Sequence, residues 1–572
     1  MLQLKNILTK NENAFNLHLT SVRIRNRPIK LKRGKLIMKS VWLKWGVLSI
    51  AICVFAMMGA IPGFAQTKHK NPWEDWSSKT EPLRGGYYRT AATMDVGLLN
   101  PNHWPVNDWL VINLMHEKLL ITDGNYHPVP WLAESWTFPN QTTCIMKLKK
   151  GVQFHDGTPF NAEAVKYQME WIKDPKNGCW SAGWLKPLKS VEVVDAYTVK
   201  WNFNAPWGGF LGIMANVPGY MLSPKVLKEG PKKYDTHPSG TGPYILEDRS
   251  PGNFIKVKRN PNWWFGKSIG KPNMPYFDGV VTTVIPDASV QLANLKANKI
   301  DYMVLSKSQY DTVRNDPNLQ VYIGPTNHVR GYRFNHAKPP FNDIRVRQAV
   351  AYAIDRNAII AGIEFGMGRP ASCAYPSDHW AHNRDLKPWP FDTQKARQLL
   401  KEAGYEKGLT ITGYCGIDAQ SRARAEAVKA MLAEVGINWK VDSLEPAAAT
   451  DRLKNLEYNL VQGDWTWIYD PDLMASALYH PTGGFNYGRS KNQAAIALIE
   501  KGRSEVEGVK RQKIYWELEK VLYDNCEDVW IFWEMGPSAY SKNIMGYNYE
   551  MSVKHKEIWN WSHPLWFKQG KP

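Results

Sequence analysis

Apolar residues recur with two alternating periods along the middle of the chain. Residues 280–285 are a β-branched run typical of a strand, residues 288–298 have the spacing of a helix, and residues 301–305 form a second strand-like run. The same alternation of helix and strand patterns recurs later in the chain. Residues 392–404 predict a helix with an aspartate cap and a terminal glycine, and residues 409–412 predict a strand. This alternation of strands and helices favours an α/β architecture.

The strongest helical pattern covers residues 343–360. Asp343 stands at its capping position, and the two prolines at 339–340 predict a sharp turn where the chain enters a new lobe. Residues 421–435 predict another helix, and residues 437–441 alternate as a strand does. The sequence shows no internal repeat and no long low-complexity linker, which leaves room for discontinuous domains.

Length and charge narrow the class of protein. A chain of 572 residues is too long for one hydrophobic core, so two or three domains are expected. The net charge is +19, but residues 1–65 hold eleven basic residues and one acidic residue, which leaves only +9 on the rest. This distribution, without a nucleic-acid-binding motif, argues against a nucleic-acid partner. The 26 tryptophans give the chain an unusual capacity for stacking on ligands.

The basic N-terminal part has the pattern of an export signal. Residues 38–65 begin with Lys39 and Lys44, continue as an apolar run, and end in small residues, so cleavage after Ala65 is predicted. Residues 1–37 then form an upstream extension. The alternative is an uncleaved membrane anchor, since the apolar run is close to the length that spans a bilayer. Either form predicts a periplasmic protein.

Cysteine usage gives no sign of a metal site. Export implies an oxidising compartment, and an odd number of cysteines leaves at least one free or paired outside the chain. No CxxC or Cys/His metal spacing occurs, so the sequence predicts no structural zinc site, no other metal and no cofactor. The five cysteines of the predicted mature part are Cys144, Cys179, Cys373, Cys415 and Cys526.

Catalytic motifs are also missing from the sequence. There is no GxSxG elbow, no Walker lysine loop and no HExxH, since His116-Glu117 lacks the second histidine. The stretch GTGPY resembles a phosphate loop, but Pro243 removes a backbone N–H that such a cradle needs. We therefore predict that the protein is not an enzyme.

The stretch GDWTWIYDP carries the clearest candidate site. Strand alternation would place Trp465, Trp467 and Tyr469 on one face. The carboxylates of Asp464 and Asp470 flank these rings. A core strand would normally carry aliphatic residues there, so the pattern favours a surface that grips a solute. The alternative is that one or more rings belong to the core.

Several spaced blocks resemble a known family, the extracytoplasmic solute-binding proteins of ABC importers, family 5, which is the peptide- and nickel-binding group. The resemblance covers roughly residues 83–560 and keeps the family's order of blocks. These include PVPWLAESW, LKKGVQFHDGTPFNAEAVKY, GTGPYIL, VKRNPNWW, FDGVVTTVIPDASVQLANLKANKIDYM, PPFNDIRVRQAVAYAIDR and DTQKARQLLKEAGY. The match is specific for the family and much less specific for the ligand.

The resemblance implies a bilobal clamp like that of type II periplasmic binding proteins, with an extra α+β domain inserted near the N-terminus. Lobe I would combine residues 83–120, 237–325 and 540–572. The inserted domain would be residues 121–236, and lobe II residues 326–539. A small-molecule or peptide solute would be caught between the lobes of a monomer and handed to permease subunits in the inner membrane.

The resemblance also bears on the solute. Peptide-binding members carry an aspartate three residues before the Asp/Glu-Pro pair, where it holds the peptide's amino terminus. Here that position is Trp467, before Asp470-Pro471, which puts a plain dipeptide ligand in doubt. The stretch is more similar to that of the nickel-chelate-binding member, as is an early loop that contains Trp104.

Arg330 completes the set of candidate contacts. Its guanidinium could pair with a ligand carboxylate, or else form a salt bridge within the protein. The function expected from the resemblance is that of a receptor for a peptide-like or other small organic solute. Alternatives are nickel-chelate or oligosaccharide binding by the same fold, a secreted glycoside hydrolase-like enzyme, and an anchored scaffold or chaperone.

Overall fold

The structure is a computed structural model that describes residues 82–103, 109–466, 469–547 and 564–568. All of them lie in one compact unit, Pro62–Pro572. None of the helices within these ranges has the length and apolar character that crossing a bilayer requires. The predicted export signal lies outside the described residues.

Strands and helices alternate through most of the described chain. In chain order, the strands are β1 (Tyr87–Ala92), β2 (Leu120–Thr122), β3 (Pro128–Pro130), β4 (Ala133–Asn140), β5 (Thr143–Leu148), β6 (Leu188–Asp195), β7 (Thr198–Phe203), β8 (Tyr244–Ser250), β9 (Phe254–Arg259), β10 (Gly279–Val284), β11 (Tyr302–Val304), β12 (Leu319–Phe334), β13 (Gly368–Pro370), β14 (Leu409–Gly416), β15 (Ile437–Leu444), β16 (Leu460–Trp465), β17 (Asp528–Ser541), β18 (Ile544–Met545) and β19 (Trp566–Phe567).

The α-helices fill the connections between these strands. They are α1 (Trp109–Met115), α2 (Ala162–Lys173), α3 (Phe210–Met214), α4 (Pro224–Lys228), α5 (Pro231–Tyr234), α6 (Trp264–Ser268), α7 (Ala288–Lys296), α8 (Lys307–Val313), α9 (Ile344–Ala353), α10 (Arg356–Gly362), α11 (Thr393–Glu402), α12 (Ala419–Glu434), α13 (Pro446–Lys454), α14 (Pro471–Tyr479), α15 (Gln493–Ser504) and α16 (Gly508–Asp524). Short 3₁₀ helices cover Pro175–Asn177, Trp180–Leu185 and Val217–Gly219.

The largest sheet contains two long strands that pass through both of its halves. Its order is β16-β12-β17-β11-β1-β10-β9-β8, and β13 also pairs with β17. The first half of β12 pairs with the end of β17, which also contacts β11, and the second half of β12 lies between β16 and the start of β17. The register of the β12–β17 pair shifts between Pro325 and Val329. The two strands therefore join the two halves of the sheet on either side of an irregular point.

A separate antiparallel sheet, β4-β5-β7-β6, lies within the segment predicted to be an inserted domain. Helix α2 contacts β6 and β7 and buries Val165, Met169 and Ile172 on one face. Asn161 caps this helix, since its side chain accepts the N–H of Ala164. Strands and helix together give this segment the α+β composition expected from the resemblance.

Most of the elements predicted from local patterns form where expected. Strand β10 and helices α7, α11 and α12 match the predicted segments within a few residues. Helix α11 begins at Asp392, whose side chain accepts the N–H of Lys395, and buries Ala396, Leu399 and Leu400. Gly404 follows with a φ of +87°, a conformation that favours glycine. The mixed α/β class predicted from the sequence is confirmed.

Two local predictions were wrong. Residues 343–360 form two helices, α9 and α10, because the side chain of Asp355 accepts the N–H of Ala358 and starts a new helix. The strand predicted through Tyr469 ends at Trp465, since Asp470 caps α14 with Pro471 as its first residue. The rings of Trp465 and Tyr469 therefore do not share one strand face.

The five predicted mature cysteines form no disulfide within the described residues. Cys179 is half-buried and the other four are buried. The odd number of cysteines predicted at least one that is free or paired outside the chain, and all five are free within the described residues.

Candidate ligand-binding site

A cavity with a volume of about 770 Å³ lies among the described residues. This volume lies within the range of small-molecule sites, roughly 300–1,000 Å³. Strand β1, helix α1, strand β10 and helix α7 supply much of its wall, and residues 326–539 contribute Asn327 and Tyr469. Eight aromatic side chains line it: Tyr88, Trp109, Trp180, Trp184, Tyr220, Tyr302, Tyr469 and Tyr540.

Parallel pairing of β1 with β10 sets one wall of the cavity. Tyr88 stands opposite Val280, and Thr90 opposite Thr282. The two threonine hydroxyls lie 2.8 Å apart and hydrogen-bond to each other. Side chains two residues apart on a strand share a face, so the tyrosine and both threonines reach the same cavity.

Lys118 is the charged side chain among the described residues that line the cavity. None of these described residues is an aspartate or a glutamate. The side chain is buried, and its Nζ donates to the carbonyl oxygen of Ala215 at 2.9 Å. The same Nζ lies 5.2 Å from the ring centre of Tyr220 and 5.9 Å from that of Tyr469. The ammonium thus faces aromatic surface, where the ring quadrupole stabilises a cation.

Asn327 links the two sides of the cavity. Its Nδ2 donates to the hydroxyl of Tyr469 at 3.1 Å, and its Oδ1 accepts the hydroxyl of Tyr126 at 3.0 Å. The rings of the two tyrosines meet edge to face at 6.3 Å. A residue of β12 therefore connects the segment after β16 to the loop before β3.

The phenols that line the cavity stay neutral at physiological pH where they are buried. Desolvation raises the pKa of Tyr88 and Tyr540 well above the ordinary value, because a phenolate would lose its hydration. Buried phenols of this kind offer a hydrogen bond and a ring face to a guest, without charge.

Glu117, next to Lys118, is the most heavily hydrogen-bonded carboxylate near the cavity. It is fully buried, and three indole N–H groups and a hydroxyl donate to it at 2.8–3.1 Å. Burial raises its pKa to about 7, while the four donors favour the carboxylate. The donors are Trp131, Trp263, Trp264 and Thr241.

Local sequence patterns did not predict the hydrogen bonds to Glu117 or the place of Lys118 in the cavity wall. His116-Glu117 suggested only an incomplete zinc motif, and the indole donors lie up to 147 positions away along the chain. Contacts between residues so far apart leave no periodic signal in the sequence. Tyr220, Asn327 and the ring of Trp109 were missed for the same reason.

The candidates predicted from GDWTWIYDP are separated in the structure. Tyr469 lines the cavity, whereas Trp465 is buried in a core cluster, with its ring 5.4 Å from Phe485 and 5.7 Å from the guanidinium of Arg333. Trp467 lies outside the described residues, and so does Trp104 of the early loop.

Arg330 and Asp464 belong to an ion network beside the irregular point of β12. Arg330 donates to Asp464 and, at 2.8 Å, to Glu534. Lys307 binds Glu534 at 2.9 Å and also contacts Glu364. Burial opposes the charge of Arg330, but the two carboxylates outweigh it and raise its pKa. The cations in turn lower the pKa of Glu534 to about 2 against the effect of burial.

Asp470 is engaged by a different partner. Arg511 binds both carboxylate oxygens at 2.7 Å, and both side chains are buried. One of the same oxygens accepts the N–H of Asp472 and so caps α14. Helix α3 covers the pair so closely that a Cβ on Gly212 would lie 2.6 Å from Asp470. The geometry gives this aspartate a structural role.

Two long shared strands, a mixed α/β fold and an aromatic cavity define a solute-binding protein of the type II periplasmic binding protein class. The model of the bacterial extracellular solute-binding proteins, family 5, matches residues 127–486. The chain belongs to this family, so the predicted family and its solute-binding function are confirmed.

Relatives and solved structures agree with this assignment. The glutathione-binding protein GsiB of Escherichia coli O1:K1 / APEC is 28% identical over 431 residues, which cover 73% of this chain and 82% of the relative. The periplasmic binding protein DppA of Helicobacter pylori, solved with the peptide STSA, has a TM-score of 0.70 and 23% identity, covering 85% of this chain and 99% of that one.

A second similar structure is NikZ of Campylobacter jejuni, solved with Ni(L-His). Its TM-score is 0.69 at 24% identity, and the match covers 80% of this chain and 95% of that one. These similarities confirm the predicted fold, a bilobal clamp with an extra inserted domain.

Proposed function

We propose that the chain is the periplasmic receptor of an ABC importer, which encloses a small organic solute in the aromatic cavity and delivers it to permease subunits in the inner membrane. The observation that carries the proposal is the cavity itself, large enough for a guest and lined from both halves of the chain. Export by residues 38–65 and action as a monomer belong to the same proposal. It acts by binding and release, without turnover.

The predicted lobes give this receptor its moving parts. Lobe I (residues 83–120, 237–325 and 540–572), the inserted domain (121–236) and lobe II (326–539) meet around the cavity. A guest that touches both lobes favours closure by its higher affinity for the closed state. The strands β12 and β17 would serve as the hinge, since they are shared by both halves of the sheet and are irregular where they cross between them.

The wall of the cavity favours a particular class of solute. Peptide ammonium groups need a carboxylate partner when they are buried. The described lining offers none, and instead presents rings and the ammonium of Lys118. We therefore propose a neutral or anionic solute with a flat or apolar face. A small peptide derivative without a free ammonium or a metal chelate fits this chemistry, in line with the Ni(L-His) in the name of one similar structure.

Among the residues predicted from the sequence, we propose Tyr469 as a direct contact, because it lines the cavity. Trp467 and Trp104 stay predictions. We assign Trp465, Asp464, Asp470 and Arg330 to the support of the site, because core packing or ion pairs occupy them. Burying one aromatic face against the solute removes up to about 200 Å² of apolar area, on the order of 5 kcal/mol before ordering costs.

Native mass spectrometry of the freshly purified mature chain tests the proposal. We expect the mass of one small organic molecule in addition to the protein, and no conversion of that molecule on incubation. With the molecule identified, Tyr469→Ala should weaken its binding tenfold or more. Tyr197→Ala is the matched control, since Tyr197 lies at the turn between β6 and β7, away from the cavity.

Two outcomes would contradict the proposal. One is an affinity that Tyr469→Ala leaves at the level of the control. The other is a co-purified molecule that is a peptide whose affinity requires its free ammonium, which would refute the proposed solute class but not the receptor function. The solute class has its own variant: Lys118→Met should weaken an anionic solute and leave a neutral one nearly unchanged.

A further inference from the structure

A thiol, an imidazole and a carboxylate meet in the core of the second half of the chain. The Sγ of Cys373 lies 3.4 Å from Nδ1 of His382, and the same Nδ1 lies 3.3 Å from Oε2 of Glu519. All three ligand atoms lie within 4.8 Å of one another, and all three residues are buried. This trio lies outside the aromatic cavity, since none of its members lines it.

The spacing of these atoms fits a tetrahedral metal ion. Zinc binds thiolate sulfur at about 2.3 Å and imidazole nitrogen or carboxylate oxygen at about 2.0–2.2 Å, so neighbouring ligand atoms are separated by roughly 3.3–3.6 Å. The two measured separations, 3.4 and 3.3 Å, match these edges. A thiolate, a neutral imidazole and a carboxylate are also a donor set that suits Zn²⁺.

Two further observations point to a missing partner at this place. Glu519 is about 1% exposed, yet its Oε1 accepts no hydrogen bond from any described residue. A cavity of about 20 Å³ lies against Cys373 and Glu519. A space of this size holds one water molecule. A buried carboxylate oxygen without a donor costs free energy, and a cation with a bound water would satisfy it.

The elements that present the trio are held firmly by other contacts. Glu519 lies on α16, and its Oε2 also accepts the N–H of Asn383 at 2.6 Å. His382 lies in the loop after β13, with its ring edge against Trp533 of β17 at 5.3 Å. Cys373 lies early in the same loop. The N–H of Asn383 and the ring of Trp533 therefore fix the orientations of Glu519 and His382, as hydrogen bonds and packing around a metal site orient its ligands.

We propose that Cys373, His382 and Glu519 hold one Zn²⁺ ion, with a water molecule from the adjacent cavity as the fourth ligand. The bound ion would link the loop between β13 and α11 to helix α16 and so stabilise the position of the loop. The proposal does not depend on the identity of the solute, because the trio lies apart from the aromatic cavity.

Metal binding at this site is coupled to loss of the proton from the Cys373 thiol. The Cys373 thiol must lose its proton to act as a zinc ligand, because the thiolate is the form that binds the metal. Zinc binding forms the Zn–S bond and releases that proton to solvent. Metal affinity should consequently fall as pH falls, and the loop should be more stably held in the zinc-loaded protein.

The test uses the untagged mature chain, stripped of metal and then titrated with Zn²⁺ or Co²⁺. We expect one tightly bound Zn²⁺ per chain by elemental analysis, a proton release on binding, and a rise of several degrees in the thermal midpoint. With Co²⁺ we expect a thiolate-to-metal charge-transfer band in the near ultraviolet, which reports a cysteine ligand directly.

Cys373→Ser should lose this band and most of the zinc. Cys415→Ser is the matched control, because Cys415 is also a buried free cysteine but lies beside the hydroxyl of Ser443. It should keep both the band and the metal. Glu519→Gln gives a second variant, which should keep the band but bind zinc at least tenfold more weakly.

Three results would overturn the proposal. The first is a wild-type chain that binds no stoichiometric zinc, which would leave a hydrogen-bonded thiol, imidazole and carboxylate only. The second is a cobalt spectrum without the thiolate band, which would place the metal elsewhere. The third is loss of the band in the Cys415→Ser control to the same extent as in Cys373→Ser. The wild-type measurements decide the question even if a variant fails to fold.

Discussion

The buried pair between Asp470 and Arg511 separates a structural aspartate from a ligand contact. We predict that Asp470→Asn lowers the thermal midpoint of the solute-free protein strongly. The side chains are only 3% and 6% exposed, and the carboxylate makes two hydrogen bonds of 2.7 Å to the guanidinium. Asparagine keeps the cap acceptor for α14 but removes the charge that pairs directly with the buried guanidinium of Arg511.

The magnitude follows from the burial. Removing one partner of a buried ion pair costs about 3–5 kcal/mol, because the remaining charge cannot be rehydrated. For a cooperative unit of about 200 residues, each kcal/mol shifts the midpoint by roughly 2–4 °C. The expected drop is therefore roughly 6–20 °C.

Asp343→Asn provides a matched control. Asp343 also caps a helix and also pairs with an arginine, Arg345, but these side chains are 26% and 45% exposed. An exposed pair is worth about 0–1 kcal/mol, so the midpoint should move by a few degrees at most. Circular dichroism at increasing temperature measures both variants.

A clear result would refute this reasoning. If Asp470→Asn has the same midpoint as the Asp343→Asn control while the affinity for the co-purified solute falls, then the carboxylate contacts the solute. Asp470 would in that case return to the set of direct contacts predicted from the sequence.

Two further predictions concern buried acids. Glu117→Gln should lower the thermal midpoint and change the near-ultraviolet circular dichroism of the surrounding indoles, because an amide cannot accept from four donors as a carboxylate does; an unchanged spectrum and midpoint would contradict this. Glu534 has a pKa lowered from 4.5 to about 2 by Arg330 and Lys307, against the effect of burial. Its depressed pKa stabilises the fold by about 3 kcal/mol above the unfolded pKa, and this is lost as pH falls towards 2. The difference in free energy of unfolding between wild type and Glu534→Gln should accordingly be largest near neutral pH and shrink in acid. If this difference in free energy of unfolding stays constant as pH falls, then the ion pairs of Glu534 do not cause it.

Local patterns in the sequence determined the α/β class and the positions of many elements. A helix such as α11 was predictable because its cap at Asp392, its apolar stripe and its terminal Gly404 lie within a dozen positions of each other. Ordered blocks similar to one family likewise predicted the clamp, because such blocks preserve a whole architecture. These features depend on neighbours along the chain.

Partners that are distant in sequence were decided only by the tertiary structure. The role of Asp470 depends on Arg511, 41 positions away, and the hydrogen bonds of Glu117 include one from Trp264, 147 positions away. The proposed zinc ligands Cys373 and Glu519 show no recognisable spacing, since one lies on a loop and the other on a helix far along the chain. Burial, hydrogen bonding and the size of a cavity arise from such long-range contacts, so no window of sequence contains them.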